Sequence, residues 1–160
     1  MRVIDEAKAT KLVSILPVFD IDANTKDEAL TQMIAALAEK SYITDPKKFK
    51  EDIYRREDEM ATYIGHGIGL PHSQSQYVTH STVVVGRLRQ PIVWSDDNQV
   101  QLIFMIAVPR EARGNLHLKI LANLSRMLIH DDFREKLATA SADEVVEMMD
   151  QHMLRGENNG

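Results

Sequence analysis

The chain has 160 residues, 44% of them hydrophobic and 27% charged, with a formal net charge of −5; these are the proportions of one soluble globular domain large enough for a substantial core. The acidic balance argues against nucleic acid or an anionic membrane as the main partner. Zero cysteines exclude disulfides, thiolate zinc sites and a cysteine nucleophile. No run approaches the roughly 18 apolar residues of a membrane span, and Met1-Arg2-Val3-Ile4-Asp5-Glu6 has no apolar leader, so the expected location is the cytoplasm.

Residues 1–22 carry a partly helical apolar pattern, Leu12, Val13, Ile15 and Leu16, before Pro17. Thr25-Lys26-Asp27-Glu28 has the form of a capping box. Behind it Ala29, Leu30, Met33, Ile34 and Leu37 form one helical stripe. Asp45-Pro46 predicts a second helix with Phe49 and Ile53 inward and a charged face from Glu51 to Glu59 outward. Thr82–Leu88 reads as a β-branched strand, and Pro91-Ile92-Val93-Trp94 as a short edge strand. After the turn cluster Asp96-Asp97-Asn98, the apolar run Val100–Val108 predicts a central strand covered on both faces.

Three helices should follow. The first starts near Asn115, with Leu116, Ile120, Leu121, Leu124 and Leu128 on one face. A short one is capped at Asp131-Asp132, and a last one opens at the capping box Ser141-Ala142-Asp143-Glu144. Helices, strands, then helices predict a single-domain α/β sandwich, a mixed β-sheet flanked by helices on both faces. The domain is expected over residues 20–152, after an extension over 1–19 and before a polar, disordered tail over 153–160.

Three glycines fall within five residues in Gly65-His66-Gly67-Ile68-Gly69, and Leu70-Pro71 then delivers His72. A constrained, glycine-lined approach presents an imidazole to a partner. Imidazole has one unprotonated nitrogen able to attack phosphorus, and a hydrogen bond at the other would fix its tautomer. The plain alternative is a surface histidine without a role. His117 opens a predicted helix, where free N–H groups suit a phosphoryl oxyanion; a helix-surface histidine is the bland reading. Arg56 would counter the phosphoryl charge through its guanidinium fork, although among Arg55, Glu57, Asp58 and Glu59 it also reads as part of a solvated face. His66 and His72 lie six apart across glycines, which matches no metal-ligand spacing, so neither a metal nor another cofactor is expected. His80, His130 and His152 sit in polar settings and should be exposed, while the hydroxyls of Thr62 and Ser73 suit either a phosphoryl oxygen or turn shaping. No nucleotide-binding or nucleophile-elbow motif is present, which leaves a protein or a small phosphorylated compound as phosphoryl donor.

Arg56-Glu57, Thr62, Gly65, Ile68, Leu70, Pro71 and His72, in that order and spacing, resemble the mannitol/fructose-type enzyme IIA domains of the bacterial phosphoenolpyruvate-dependent sugar phosphotransferase system. Asp97–Val100 before the apolar strand, His117-Leu118 with Leu121, Ser141–Val145 and Lys26–Ala29 are similar as well, so the resemblance covers roughly residues 20–150. It implies that His72 accepts a phosphoryl group from the carrier HPr and passes it to a cysteine of an enzyme IIB, which serves the membrane subunit IIC. It also implies that His117 and Arg56 stabilise the transferring group. Gly69, Ser73 and His66 depart from the commoner residues at their positions, and the sugar class stays open. Partners would meet the loop at Ile64, Ile68 and Leu70. Two other readings remain: a nitrogen-type regulatory enzyme IIA, whose loop should be closer to Ser-Thr-Gly-Ile-Gly, and a metal-dependent hydrolase using His66, His72 and Asp96-Asp97.

Overall fold

The computed structural model describes residues 13–59, 61–112 and 115–159, with side chains through residue 152. The partly helical pattern before Pro17 proves to be a strand, β1 (Ser14–Ile21), which pairs in parallel with β4 (Thr82–Ser95) from Ser14↔Thr82 onward. Residues 14–19, read from the sequence as an extension, therefore lie in the sheet. Over the tail expected to be disordered, the backbone of residues 153–159 belongs to the last helix, α5 (Ala142–Asn159), and residue 160 lies outside the described residues.

The capping signals act locally as written. In α1 (Lys26–Glu39) the Thr25 hydroxyl accepts from the Glu28 amide at 3.1 Å, and the Glu28 carboxylate accepts in turn from the Asn24 amide at 2.8 Å. Asp45 accepts from the Lys48 amide at 3.1 Å at the start of α2 (Pro46–Glu59). Ser141 and Glu144 exchange both bonds of a capping box at the start of α5. Asp131 and Asp132 stand one residue later than expected, inside the first turn of α4 (Asp131–Thr139), where carboxylates favour the positive helix end.

The sheet is mixed and ordered β1-β4-β5, with β2 (Ile68–Gly69) and β3 (His72–Ser75) both on the outer edge of β5 (Asn98–Pro109). β4 runs antiparallel to β5, while β1, β2 and β3 join in parallel. The two segments expected at 82–88 and 91–94 form this one strand, interrupted by a register shift between Arg87 and Ile92. β1 pairing ends at Leu88, so the far half of β4 has a neighbour on one side only.

Alternation along β5 builds two cores. Ile103, Met105 and Ala107 face α1 and α2, where Phe49 and Ile53 are fully buried. Phe104, Ile106 and Val108 face Ile120 and Leu124 of α3 (Leu116–Leu128), Leu137 of α4 and Val145 of α5. Each of these side chains larger than alanine, moved wholly out of water, contributes about 1.5–3 kcal/mol. Among the described residues no helix is long and apolar enough to cross a membrane.

Candidate active site

Ile68 and His72 keep one register along β5, Ile68↔Leu102 and His72↔Ile106, so β2 and β3 are a single edge line broken at Leu70-Pro71. Proline has no amide to lose at a sheet edge, and its carbonyl still accepts from the Ile106 amide at 2.9 Å. Before this line the chain folds back on itself. The Leu70 amide donates to the Thr62 carbonyl at 2.8 Å and the Ile64 amide to the Ile68 carbonyl at 3.1 Å, and Tyr63 bridges Gly69. Gly65 (φ 91°), His66 (φ 56°) and Gly67 (φ 72°) turn the corner in the left-handed region. The Gly67 carbonyl accepts from the Gln101 and Leu102 amides at 2.9 and 3.2 Å, which ties the turn to β5.

His72 thus stands on a fixed strand. Its Nδ1 lies 3.1 Å from the Leu70 carbonyl. A carbonyl only accepts, so Nδ1 carries the proton and Nε2 keeps its lone pair. Ser75 of the same strand donates to Asp52 of α2 at 2.5 Å, so strand alternation puts His72 on the opposite, α3-facing side.

The first turn of α3 brings His117 to that side. Burial lowers its imidazole pKa, and the neighbouring His72 and then Arg56 lower it further. His117 therefore lies near enough to His72 and to Arg56 to sense each of them. Asn115, with φ 54°, makes no side-chain cap to this helix end. Arg56 sits in the last turn of α2, about half exposed, 3.7 Å from Glu59. It lines a cleft of about 180 Å³ together with Arg55, Ser73, Gln74 and Arg110.

The other candidates disperse. His66 is exposed beside Ile64 and Ile129. His80, expected in solvent, is half-buried, bonded to the Ser14 hydroxyl at 2.7 Å and stacked on Tyr42. His130 and His152 are exposed, the latter edge-on to Phe133. Of the expected contact residues, Ile68 and Leu70 are core; Ile64 is exposed, as are Leu118 and Ile129, which the sequence reading did not mark. Among the described residues no three His, Asp or Glu side chains gather as a metal site.

Glu57 corrects the outward charged face of α2. Its side chain is 2% exposed and meets Lys26 Nζ at 2.6 Å. It also accepts from the Thr62 hydroxyl, so that hydroxyl shapes the loop. The signal was the spacing Phe49, Ile53, Glu57, which continues the buried stripe of the helix.

The family model for the phosphoenolpyruvate-dependent sugar phosphotransferase system, EIIA 2, matches residues 14–152. The chain belongs to that family. It is 36% identical over 125 residues to the fructose-specific EIIA component of Haloferax volcanii, covering 77% of this chain and 80% of that protein. It is 32% identical over 133 residues to multiphosphoryl transfer protein 2 of Escherichia coli strain K12; that match covers 83% of this chain but only 16% of the relative's length. Among solved structures, the complex of enzyme IIA and phosphorylated enzyme IIB for mannitol from Escherichia coli matches with a TM-score of 0.69. That likeness has 26% identity and covers 89% of this chain and 94% of that one. The mixed sheet between two helical layers is thus the EIIA fold that the loop pattern implied.

Proposed function

We propose that this chain is a cytoplasmic phosphohistidine carrier of sugar uptake. His72 Nε2 accepts a phosphoryl group from the phosphohistidine of HPr and passes it to a cysteine of an enzyme IIB working with the membrane subunit IIC. The observation that supports this best is the Nδ1 bond to the Leu70 carbonyl, which leaves Nε2 as the nucleophile. One N–P bond forms as the donor's breaks. The His72 ring gains positive character as Nε2 bonds to phosphorus, and the Leu70 carbonyl opposite Nδ1–H stabilises it. His117 donates an N–H to a phosphoryl oxygen, and Arg56 supplies a permanent cation at the edge of the site. The lowered pKa of His117 favours its neutral form before the phosphoryl group arrives, so it does not oppose the charge that transfer places on the His72 ring.

Leu118, exposed one residue beyond His117 at the start of α3, gives both partners a shared apolar contact. A small interface of that kind binds no tighter than about micromolar, as a carrier that must let go requires.

Incubation with phosphoenolpyruvate, enzyme I and HPr should add one acid-labile phosphoryl group, and His72→Ala should abolish it. Full labelling of that variant would sink the assignment. His117→Ala and Arg56→Ala should still be labelled, but roughly a hundredfold more slowly, the loss of about 3 kcal/mol typical of a pre-organised donor.

A further inference from the structure

A buried carboxylate is expensive to keep unless it is paired and fully bonded. Glu57 is both, and each of its partners leads toward the nucleophile. Lys26 reaches it at 2.6 Å from the first turn of α1, and the same ammonium lies 4.2 Å above the Trp94 ring. On the other side the carboxylate takes the Thr62 hydroxyl and faces the Thr62 amide at 3.5 Å. The Thr62 carbonyl receives the Leu70 amide at 2.8 Å, and the Leu70 carbonyl receives Nδ1–H of His72 at 3.1 Å. Trp94 stands against Gly69, the residue that leads into Leu70. A continuous path therefore runs Lys26–Glu57–Thr62–Leu70–His72, joining two helices, the loop and the edge strand.

We propose that the buried Lys26–Glu57 pair is a positioning device for His72: by gripping Thr62 it sets where the Leu70 carbonyl lies, and so which ring nitrogen is free. Neither residue touches the reacting atoms. An apolar pair of similar volume would fill the space at least as stably. What it would not do is hold the Thr62 hydroxyl in one direction. The carboxylate does so because it accepts from Thr62 while the ammonium opposite fixes its own orientation. The catalytic meaning of this device rests on His72 being the phosphoryl acceptor; its effect on the imidazole does not.

The test is the His72 tautomer, read from ring ¹⁵N shifts in long-range ¹H–¹⁵N spectra of the labelled full chain. The parent should show Nδ1–H. Thr62→Val removes the hydroxyl and leaves Lys26 and Glu57 paired; it should move His72 toward the Nε2–H form and slow single-turnover phosphorylation at least tenfold. Thr62→Ser should restore both. Glu57→Gln and Lys26→Met should shift the tautomer in the same direction wherever they fold. A folded Thr62→Val with the parent tautomer overturns the proposal, as does a parent that holds Nε2–H. If the parent shows Nδ1–H and responds to Thr62→Val but takes no phosphoryl group, the carrier reading fails and the positioning of His72 stands.

Discussion

Replacing Gly69 by alanine adds one methyl where Trp94 already stands. An ideal Cβ there lies 2.8 Å from Cε2 and Cζ2 of the indole and 3.1 Å from Cδ2. Carbon pairs settle at about 3.5–4.0 Å, so ring or strand must give way by well over half an ångström. Neither is free to do so. Trp94 is 5% exposed with the Lys26 ammonium over its ring, and Gly69 is paired to Ile103. Alanine returns about 1 kcal/mol of backbone entropy, while a 2.8 Å approach puts overpacking at the upper end of its usual range, about 2–3 kcal/mol, leaving a net loss of about 1–2 kcal/mol. With a urea slope of about 2 kcal/mol/M, the midpoint should fall by roughly 0.5–1 M. Equilibrium unfolding followed by far-ultraviolet circular dichroism measures it. Trp94→Phe trims the fused ring that the methyl strikes, so Gly69→Ala should cost less in that background, with a coupling of about 1 kcal/mol. An unchanged midpoint for Gly69→Ala alone would refute the reasoning.

Three further outcomes follow from local features. His66 holds φ 56° without being glycine, so His66→Asn should raise the melting temperature by up to about 3 °C; a fall would show that the ring makes a contact worth more than the strain. Ser141→Ala removes the hydroxyl that caps α5 and should lose about 1 kcal/mol in urea melts, with no change in His72 labelling. His117 is depressed in the folded state, so its neutral form contributes stability that is present above the ordinary imidazole pKa and is lost as pH falls through the folded value. His117→Gln should flatten that part of the stability–pH profile, and phosphorylation of His72 should raise the His117 pKa in an NMR titration by placing negative charge beside it; equal slopes, or no rise, would contradict the placement.

What the sequence disclosed was mostly local. Thr25, Asp45 and Ser141 announce helix starts because the bonds they make are to residues three positions on. The unbroken apolar run of β5 announces helices on both faces because neither side of that strand meets water. β1 stayed hidden, since its partner lies 68 residues away and Ser14–Ile21 shows no clean alternation of burial. Glu57 stayed hidden among four charged neighbours that do face water; only its phase with Phe49 and Ile53 betrays it. At the site, the spacing from Arg56 to His72 carried the family pattern, but nothing in it says that Ile68 and Leu70 are core while Leu118 and Ile129 are exposed. That division depends on which face of the edge line meets α3, a fact of tertiary packing.

The chain has a single tryptophan, and it lies against the loop that delivers His72, with a lysine ammonium over its ring. Indole emission responds to nearby charge and to small shifts of its neighbours. Trp94 is therefore a built-in optical reporter: the emission of the unlabelled protein follows the Gly69–His72 segment with no second fluorophore to separate. Stopped-flow mixing with a phosphoryl donor would time the loading of the loop directly, in the native sequence.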